Sequence, residues 1–141
     1  MVFIFDENIP RNIVIALSKL DEGVVGKHQI YSVYDLGFNG VKDRELFPKI
    51  RERFGDEKCV FISGDKMILK RKPEIAELKR SGLICFICAP SSCAKPLYER
   101  AVYVLNAWKS IVSLADSARG CVVYQIPAQS VSITPNSFVR R

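Results

Sequence analysis

Three aspartates, Asp6, Asp43 and Asp65, stand where the chain could gather negative charge at one place. Asp6 directly follows the apolar run 2–5, Asp65 comes shortly after the apolar run 59–62, and Asp43 opens a predicted helix. Carboxylates held within a few ångströms of one another raise each other's pKa unless a divalent cation neutralises them. Mg²⁺ and Mn²⁺ prefer such oxygen ligands, and either ion can activate water and stabilise an in-line phosphoryl displacement. The aspartates therefore predict a divalent-cation site that acts on phosphate esters.

The same carboxylates also have structural interpretations. Asp43 could serve only as a helix N-cap, and Asp6 could cap the first helix or turn. Asp65 is followed by basic residues, and an isolated charge run is usually a solvated face. Here the basic residues lie next to the predicted acidic edge of the sheet. The phosphate backbone of a nucleic acid would pass there if the carboxylates promoted its cleavage. The basic residues are Lys66, Lys70, Arg71 and Lys72.

The elements that would position these residues alternate between strands and helices. Five apolar runs predict strands at residues 2–5, 28–33, 59–62, 83–88 and 121–126. Helical spacing predicts helices near 9–20, 43–54 and 73–81 and a long one from Pro96, which follows a predicted loop at 89–92. This order predicts a three-layer α/β/α sandwich with a mostly parallel sheet of about five strands. Right-handed crossovers then bring Asp6 and Asp65 to one edge of the sheet.

The totals suit one domain, which we place at residues 1–126 of the 141, with a polar, basic tail at 127–141 that contains no acid. Lysine and arginine exceed the acids by 21 − 15 = 6, which favours a polyanionic partner. No apolar stretch is long enough to span a bilayer, and no basic region precedes the first apolar run. We therefore expect a cytoplasmic protein without membrane contact.

The five cysteines are an odd number, which suits a reducing compartment and small buried hydrophobes. Cys85 and Cys88 have the spacing of a zinc or redox pair, but residues three apart on a strand point to opposite faces. A zinc site would need two more ligands, and only Cys93 lies near. We therefore predict structural roles for these cysteines. His28, the single histidine, is also predicted to be structural rather than catalytic.

Three short segments together resemble the PIN-domain fold: FDENIP at 5–10, DREL at 43–46 and ISGD at 62–65. The resemblance is nearest to the compact PIN-like branch related to the VapC-type toxins of toxin–antitoxin pairs, and it runs from residue 1 to about 126. It implies a Mg²⁺- or Mn²⁺-dependent ribonuclease in which Asp6, Asp43 and Asp65 bind the metal. Ser63 would support the last of these carboxylates.

The chain departs from the classical pattern at two points. The second acid of classical members is usually a glutamate, so Glu45 competes with Asp43; helical geometry places the two about 200° apart, and only one can face the site. A fourth acid usually follows soon after the third, but Met67 and Ile68 stand there instead.

The leading hypothesis is a metal-dependent endoribonuclease, the toxin of a toxin–antitoxin pair. Its RNA would contact Arg11, Lys66, Lys70 and Arg71, and its expected protein partners are an antitoxin and a second copy of the chain. The missing fourth acid leaves open a non-catalytic PIN-like module that binds RNA or protein. A receiver-like phosphoacceptor domain is a third alternative. Such a domain needs a lysine after a later strand, but neither residues 89–91 nor Pro127, which follow the last two predicted strands, provide one.

Overall fold

The computed structural model describes residues 1–24, 28–128 and 134–135, and the predicted alternation of strands and helices is confirmed there. The strands are β1 (Val2–Phe5), β2 (Gln29–Ser32), β3 (Cys59–Ser63), β4 (Ile84–Cys88), β5 (Val122–Ile126) and β6 (Thr134–Pro135). The helices are α1 (Arg11–Asp21), α2 (Asp43–Phe54), α3 (Lys72–Ser81), α4 (Pro90–Cys93) and α5 (Leu97–Ser117). A 3₁₀ helix at Lys66–Lys70 follows β3.

The strands form one sheet in the order β2-β1-β3-β4-β5-β6. The first five pair in parallel, as predicted, and β6 pairs antiparallel with β5. The sequence did not predict β6, because its two residues carry no apolar run and end in proline. The predicted tail otherwise lies mostly outside the described residues.

The sheet is covered on both faces, which explains why its strands are continuous apolar runs. In β1, Phe3 and Phe5 belong to the core formed with α1 and α5, whereas Val2 and Ile4 belong to the core formed with α2 and α3. All four side chains are fully buried. The predicted three-layer α/β/α sandwich is therefore confirmed.

Two local predictions need correction. Residues 89–92 were expected to form a loop, but α4 begins at Pro90, whose fixed φ angle suits the first position of a helix. The second strand was expected to begin at His28, which instead lies just before β2. The His28 Nδ1 atom is 3.2 Å from both carboxylate oxygens of Asp21, and this contact is consistent with a structural role.

The strand order creates a switch point between β1 and β3. The connection after β1 leads outward to β2, and the chain then crosses back to β3 on the other side of β1. Ligands of open α/β sheets bind beyond the carboxyl ends of the strands at such a point. Asp6 and Asp65 follow the two strands that flank it. Within the described ranges, no helix has the length and apolar character needed to cross a membrane.

Candidate functional site

The register of β1 and β3 places Asp6 beside Ser63. Ile4 pairs with Phe61, and the Asp6 amide donates to the Ile62 carbonyl over 2.8 Å. Because side chains alternate along a strand, Asp6 and Ser63 lie on the face covered by α2 and α3, as Ile4 and Phe61 do. The Ser63 hydroxyl donates to Asp6 Oδ2 over 2.8 Å, and this bond fixes the orientation of the carboxylate.

Ser63 is the centre of a small hydrogen-bond network. Its fully buried hydroxyl accepts from the Asp65 amide at 3.0 Å and from Asn8 Nδ2 at 3.3 Å. Asn8 Nδ2 also lies 3.4 Å from Asp6 Oδ2, and Asn8 Oδ1 accepts from the Gly64 amide at 2.9 Å. The serine therefore supports the backbone of Asp65 and the carboxylate of Asp6. The sequence interpretation did not single out Asn8, although an amide two residues after Asp6 was a visible signal.

A pocket of about 510 Å³ opens at this edge of the sheet. Its lining includes the carboxylates of Asp6, Glu7, Asp43, Asp65 and Glu74. Lys42 and Arg71 bring positive charge to the same pocket. The structure therefore gathers the three predicted aspartates around one space and adds two glutamates to them.

The carboxylates of the pocket influence one another's protonation. The pKa of Asp43 is raised to about 7, mainly by burial and then by the charges of Asp6, Glu74 and Asp65; Arg71 opposes the shift. Burial also raises the pKa of Asp6, against the hydrogen bonds from Ser63 and the Glu7 amide. The pocket therefore carries negative charge that its own cations do not fully compensate.

Helix capping does not explain Asp43. The N-cap of α2 is Lys42, Asp43 is the first helical residue, and no side-chain hydrogen bond caps this helix. Pro10 is the N-cap of α1, so Asp6 does not cap that helix either, although its Oδ1 accepts from the Glu7 amide at 2.8 Å. Asp65 does cap the 3₁₀ helix, because its Oδ1 accepts from the Met67 amide at 2.9 Å.

Glu74 is, besides Glu7, an acidic residue of the pocket that the sequence interpretation did not include among the site residues. It lies in the first turn of α3, and its side chain is only 14% exposed. A fourth acid was expected within a few residues of Asp65. Instead, a 3₁₀ helix separates Asp65 from α3, whose first turn places Glu74 in the pocket lining. The helix predicted from Pro73 was the signal that could have placed Glu74 there.

Arg71 links two carboxylates of the pocket. One of its guanidinium nitrogens lies 3.4 Å from Asp65 Oδ2 and 3.2 Å from Glu74 Oε2. Arg71 was predicted to contact phosphate, but in this structure the carboxylates are its partners. Arg71 therefore neutralises part of the negative charge that would otherwise attract a cation to the pocket.

The remaining predicted residues lie outside the pocket lining. Glu45 is exposed on α2, so Asp43 faces the pocket and its competitor does not. Arg11 forms an ion pair with Asp35, with 2.8 Å between Nη2 and Oδ1. Lys66 and Lys70 are exposed on the 3₁₀ helix that begins beside Asp65. These lysines are free to meet solvent next to the pocket.

The donor chemistry of the pocket fits a hard divalent cation. Its ligand atoms are carboxylate oxygens, which Mg²⁺ and Mn²⁺ prefer. The pKa values of Asp6 and Asp43 are raised mainly by burial and then by neighbouring carboxylates, whose repulsion a cation would relieve. As they stand, however, no three histidine, cysteine, aspartate or glutamate side chains in the described part of the chain form a ready metal cluster. Mg²⁺ and Mn²⁺ would therefore be held partly through water, which Mg²⁺ retains readily in proteins.

Comparison with protein families gives a match over the first part of the chain. Residues 1–90 fit a family described as PIN like domain, and this segment contains every residue of the acidic pocket. Comparison of the whole chain with curated proteins gave no match. Comparison with solved structures gave none either.

Proposed function

Because the chain belongs to the PIN-like domain family, we propose that it is a metal-dependent endoribonuclease that hydrolyses RNA phosphodiester bonds. The observation that carries the proposal is the gathering of Asp6, Asp43, Asp65 and Glu74 in one pocket at the switch point of the sheet. PIN domains are generally nucleases, and a pocket lined by carboxylates suits the divalent cation that such a reaction requires.

Four acids of the pocket and two supporting residues have proposed roles. Asp6, Asp43 and Asp65 bind Mg²⁺ or Mn²⁺, and Glu74 takes the place of the fourth acid that is missing soon after Asp65. The bound cation would supply activated water and neutralise charge that develops on the phosphate. Ser63 and Asn8 hold Asp6 and the backbone of Asp65 in position before substrate arrives.

The surface beside the pocket suits RNA. Lys66 and Lys70 are exposed at the 3₁₀ helix that Asp65 caps, and the whole chain carries a net charge of +6. Positively charged side chains next to a carboxylate site attract the phosphate backbone of RNA and offset its repulsion by the negative pocket. Arg71 could also contact phosphate once a cation has replaced it at Asp65 and Glu74. Arg11 could do so only if its ion pair with Asp35 were broken.

The decisive experiment pairs Mn²⁺ calorimetry with RNA cleavage on the same samples. Wild type should bind Mn²⁺ and cleave RNA, and Asp6→Asn or Asp65→Asn should lower cleavage by about a hundredfold or more. Asp43→Asn should behave like them, while Glu45→Gln, on the same helix but exposed, should remain near wild type. Cleavage at the wild-type rate in Asp6→Asn and Asp65→Asn would contradict the proposal.

We further propose that this nuclease is the toxin of a toxin–antitoxin pair and works in the cytoplasm. The support is the resemblance of residues 5–10, 43–46 and 62–65 to the VapC-type branch. An antitoxin protein and a second copy of the chain are its proposed partners. Induced expression of wild type in bacteria should arrest growth, and Asp65→Asn should not. Equal arrest by both proteins would exclude nuclease toxicity, and light scattering on the purified protein tests the dimer.

A non-catalytic PIN-like module that binds RNA or protein is the second candidate. It is favoured by Arg71, which partly neutralises Asp65 and Glu74, and by the lack of a ready metal cluster among the described residues. RNA binding without cleavage in either Mg²⁺ or Mn²⁺ would select this candidate.

A receiver-like phosphoacceptor domain has less support. It would share the 2-1-3-4-5 strand order, but residues 127–128, the described residues just after β5, are Pro-Ala and include no lysine. Phosphorylation of the chain by acetyl phosphate would support this alternative.

A further inference from the structure

Cys88 and Cys93 form a pair that the proposed nuclease does not use. Cys88 is the last residue of β4, and Cys93 is the last residue of α4. The single turn of α4 therefore places Cys93 next to Cys88. Both side chains line the same small cavity, and Cys93 packs against the core cluster to which Cys88 belongs. Cys88 is buried, whereas Cys93 is half-buried and both are free thiols. The prediction that Cys85 and Cys88 point to opposite faces of the sheet is confirmed, because their side chains lie in the cores on the two faces.

The two thiols have different reactivities. The neighbouring Cys88 thiol and the nearby charge of Arg100 lower the pKa of Cys93 to about 7, although partial burial opposes them. The neighbouring Cys93 and burial both raise the pKa of Cys88. Arg100 is held in place because its Nη2 atom donates to the Asn8 carbonyl over 2.8 Å. Cys93 is therefore the nucleophile of the pair, and Cys88 is the resolving thiol.

A small cavity lies beside the pair, and Cys93 is accessible from solvent. Cys88, Cys93 and Arg100 line this cavity, whose volume is about 10 Å³. Because Cys93 is only half-buried, a small oxidant such as hydrogen peroxide can reach its sulfur from solvent.

We propose that Cys88 and Cys93 are a peroxide-sensitive dithiol that closes into a reversible intramolecular disulfide. The Cys93 thiolate attacks one oxygen of hydrogen peroxide and breaks the O–O bond, which forms a sulfenic acid and releases hydroxide. Cys88 sulfur then attacks the Cys93 sulfur, the S–S bond forms, and the sulfenic oxygen leaves as water. In total, two thiols are oxidised, one peroxide is reduced and two waters are produced. An external dithiol reverses the reaction by exchange.

The pair also touches the edge of the acidic pocket. A Cβ atom added to Gly64 would lie 2.7 Å from Cys93 Sγ, so this sulfur packs against the turn between Ser63 and Asp65. Gly64 is bonded through its amide to Asn8, which contacts Asp6. Formation of the disulfide does not depend on the proposed nuclease activity. An effect of the disulfide on RNA cleavage would rest on the proposed function.

The test treats the full-length protein with an equimolar amount of hydrogen peroxide, blocks the remaining thiols by alkylation and maps the peptides by mass spectrometry. Wild type should lose the mass of two hydrogens, show a link between Cys88 and Cys93, and return to the starting mass with dithiothreitol. Cys93→Ser should form no disulfide, whereas the matched control Cys59→Ser should form it at the wild-type rate. Circular dichroism checks that each variant folds.

Cys88→Ser separates the two roles. Without the resolving thiol, Cys93 should accumulate as a sulfenic acid that dimedone traps. A link between Cys85 and Cys121, oxidation of Cys93 to sulfinic acid while Cys88 stays free in wild type, or no reaction at all would each overturn the proposal. None of these readouts requires RNA cleavage, so failure of the proposed nuclease and failure of the dithiol are distinguishable.

Discussion

The Ser63 hydroxyl donates a 2.8 Å hydrogen bond to Asp6 Oδ2 and thereby joins the carboxyl ends of β1 and β3 across the switch point of the sheet. Both residues are buried, and Ser63 is fully so. A carboxylate that is oriented by a buried donor spends less time in unproductive conformations, which suits a group that must meet a cation in one geometry. We therefore expect this hydrogen bond both to stabilise the fold and to orient Asp6 for the proposed metal binding.

Ser63→Ala should lower the free energy of unfolding by about 1–3 kcal/mol, because it removes a buried hydrogen-bond partner from Asp6, the Asp65 amide and Asn8 at once. Urea unfolding at neutral pH measures the change. Ser117→Ala, at an exposed position, should change it by less than about 0.5 kcal/mol. Equal values for the two variants would show that the network does not stabilise the fold.

Without metal, the protein should lose stability as pH rises from about 4 to about 7. The pKa of Asp43 is about 7 in the folded state and near 3.8 for the free side chain, so across this range the folded state keeps a proton that the unfolded state has lost. Burial disfavours its charged form most, the charges of Asp6, Glu74 and Asp65 add to this effect, and Arg71 opposes it. Asp43→Asn should reduce this fall, as measured by thermal unfolding in EDTA. Its pH profile should differ from that of Glu45→Gln, and identical profiles would contradict the assignment.

Arg71→Gln should strengthen Mn²⁺ binding, by roughly threefold to tenfold at low ionic strength. The arginine neutralises Asp65 and Glu74 in the metal-free protein, so its removal leaves more negative charge for the cation. Calorimetry measures the dissociation constant. Arg80→Gln is the matched control, because Arg80 pairs with Glu77 on the same helix and lies outside the pocket lining. Weaker binding in Arg71→Gln would show that the arginine organises the pocket instead of competing for it.

Gly64→Ala should lower the free energy of unfolding by about 1–2 kcal/mol. The added Cβ would lie 2.7 Å from Cys93 Sγ, which must then leave its position beside Cys88. Cys93→Ala removes that sulfur, so the double variant should be more stable than the sum of the two single changes predicts. Urea unfolding of all four proteins measures this coupling, and strict additivity would place the strain elsewhere.

The sequence by itself determined the layered fold and the common edge of Asp6 and Asp65. Continuous apolar runs such as 2–5 and 59–62 can only be buried on both faces, and helical segments between them require parallel crossovers. These are local patterns joined by general rules of connection, so they can be recognised without coordinates. The same rules brought the basic run after Asp65 to that edge.

The tertiary structure alone decided which side chains share the pocket. The packing of α2 turned Asp43 inward and left Glu45 exposed, and the path of the 3₁₀ helix and α3 returned Glu74 to Arg71 and Asp65. Likewise, the turn of α4 set Cys93 against Cys88, a contact that the sequence did not predict. Such contacts depend on how far each helix rotates and travels when its apolar face packs on the sheet, and residue spacing does not contain that information.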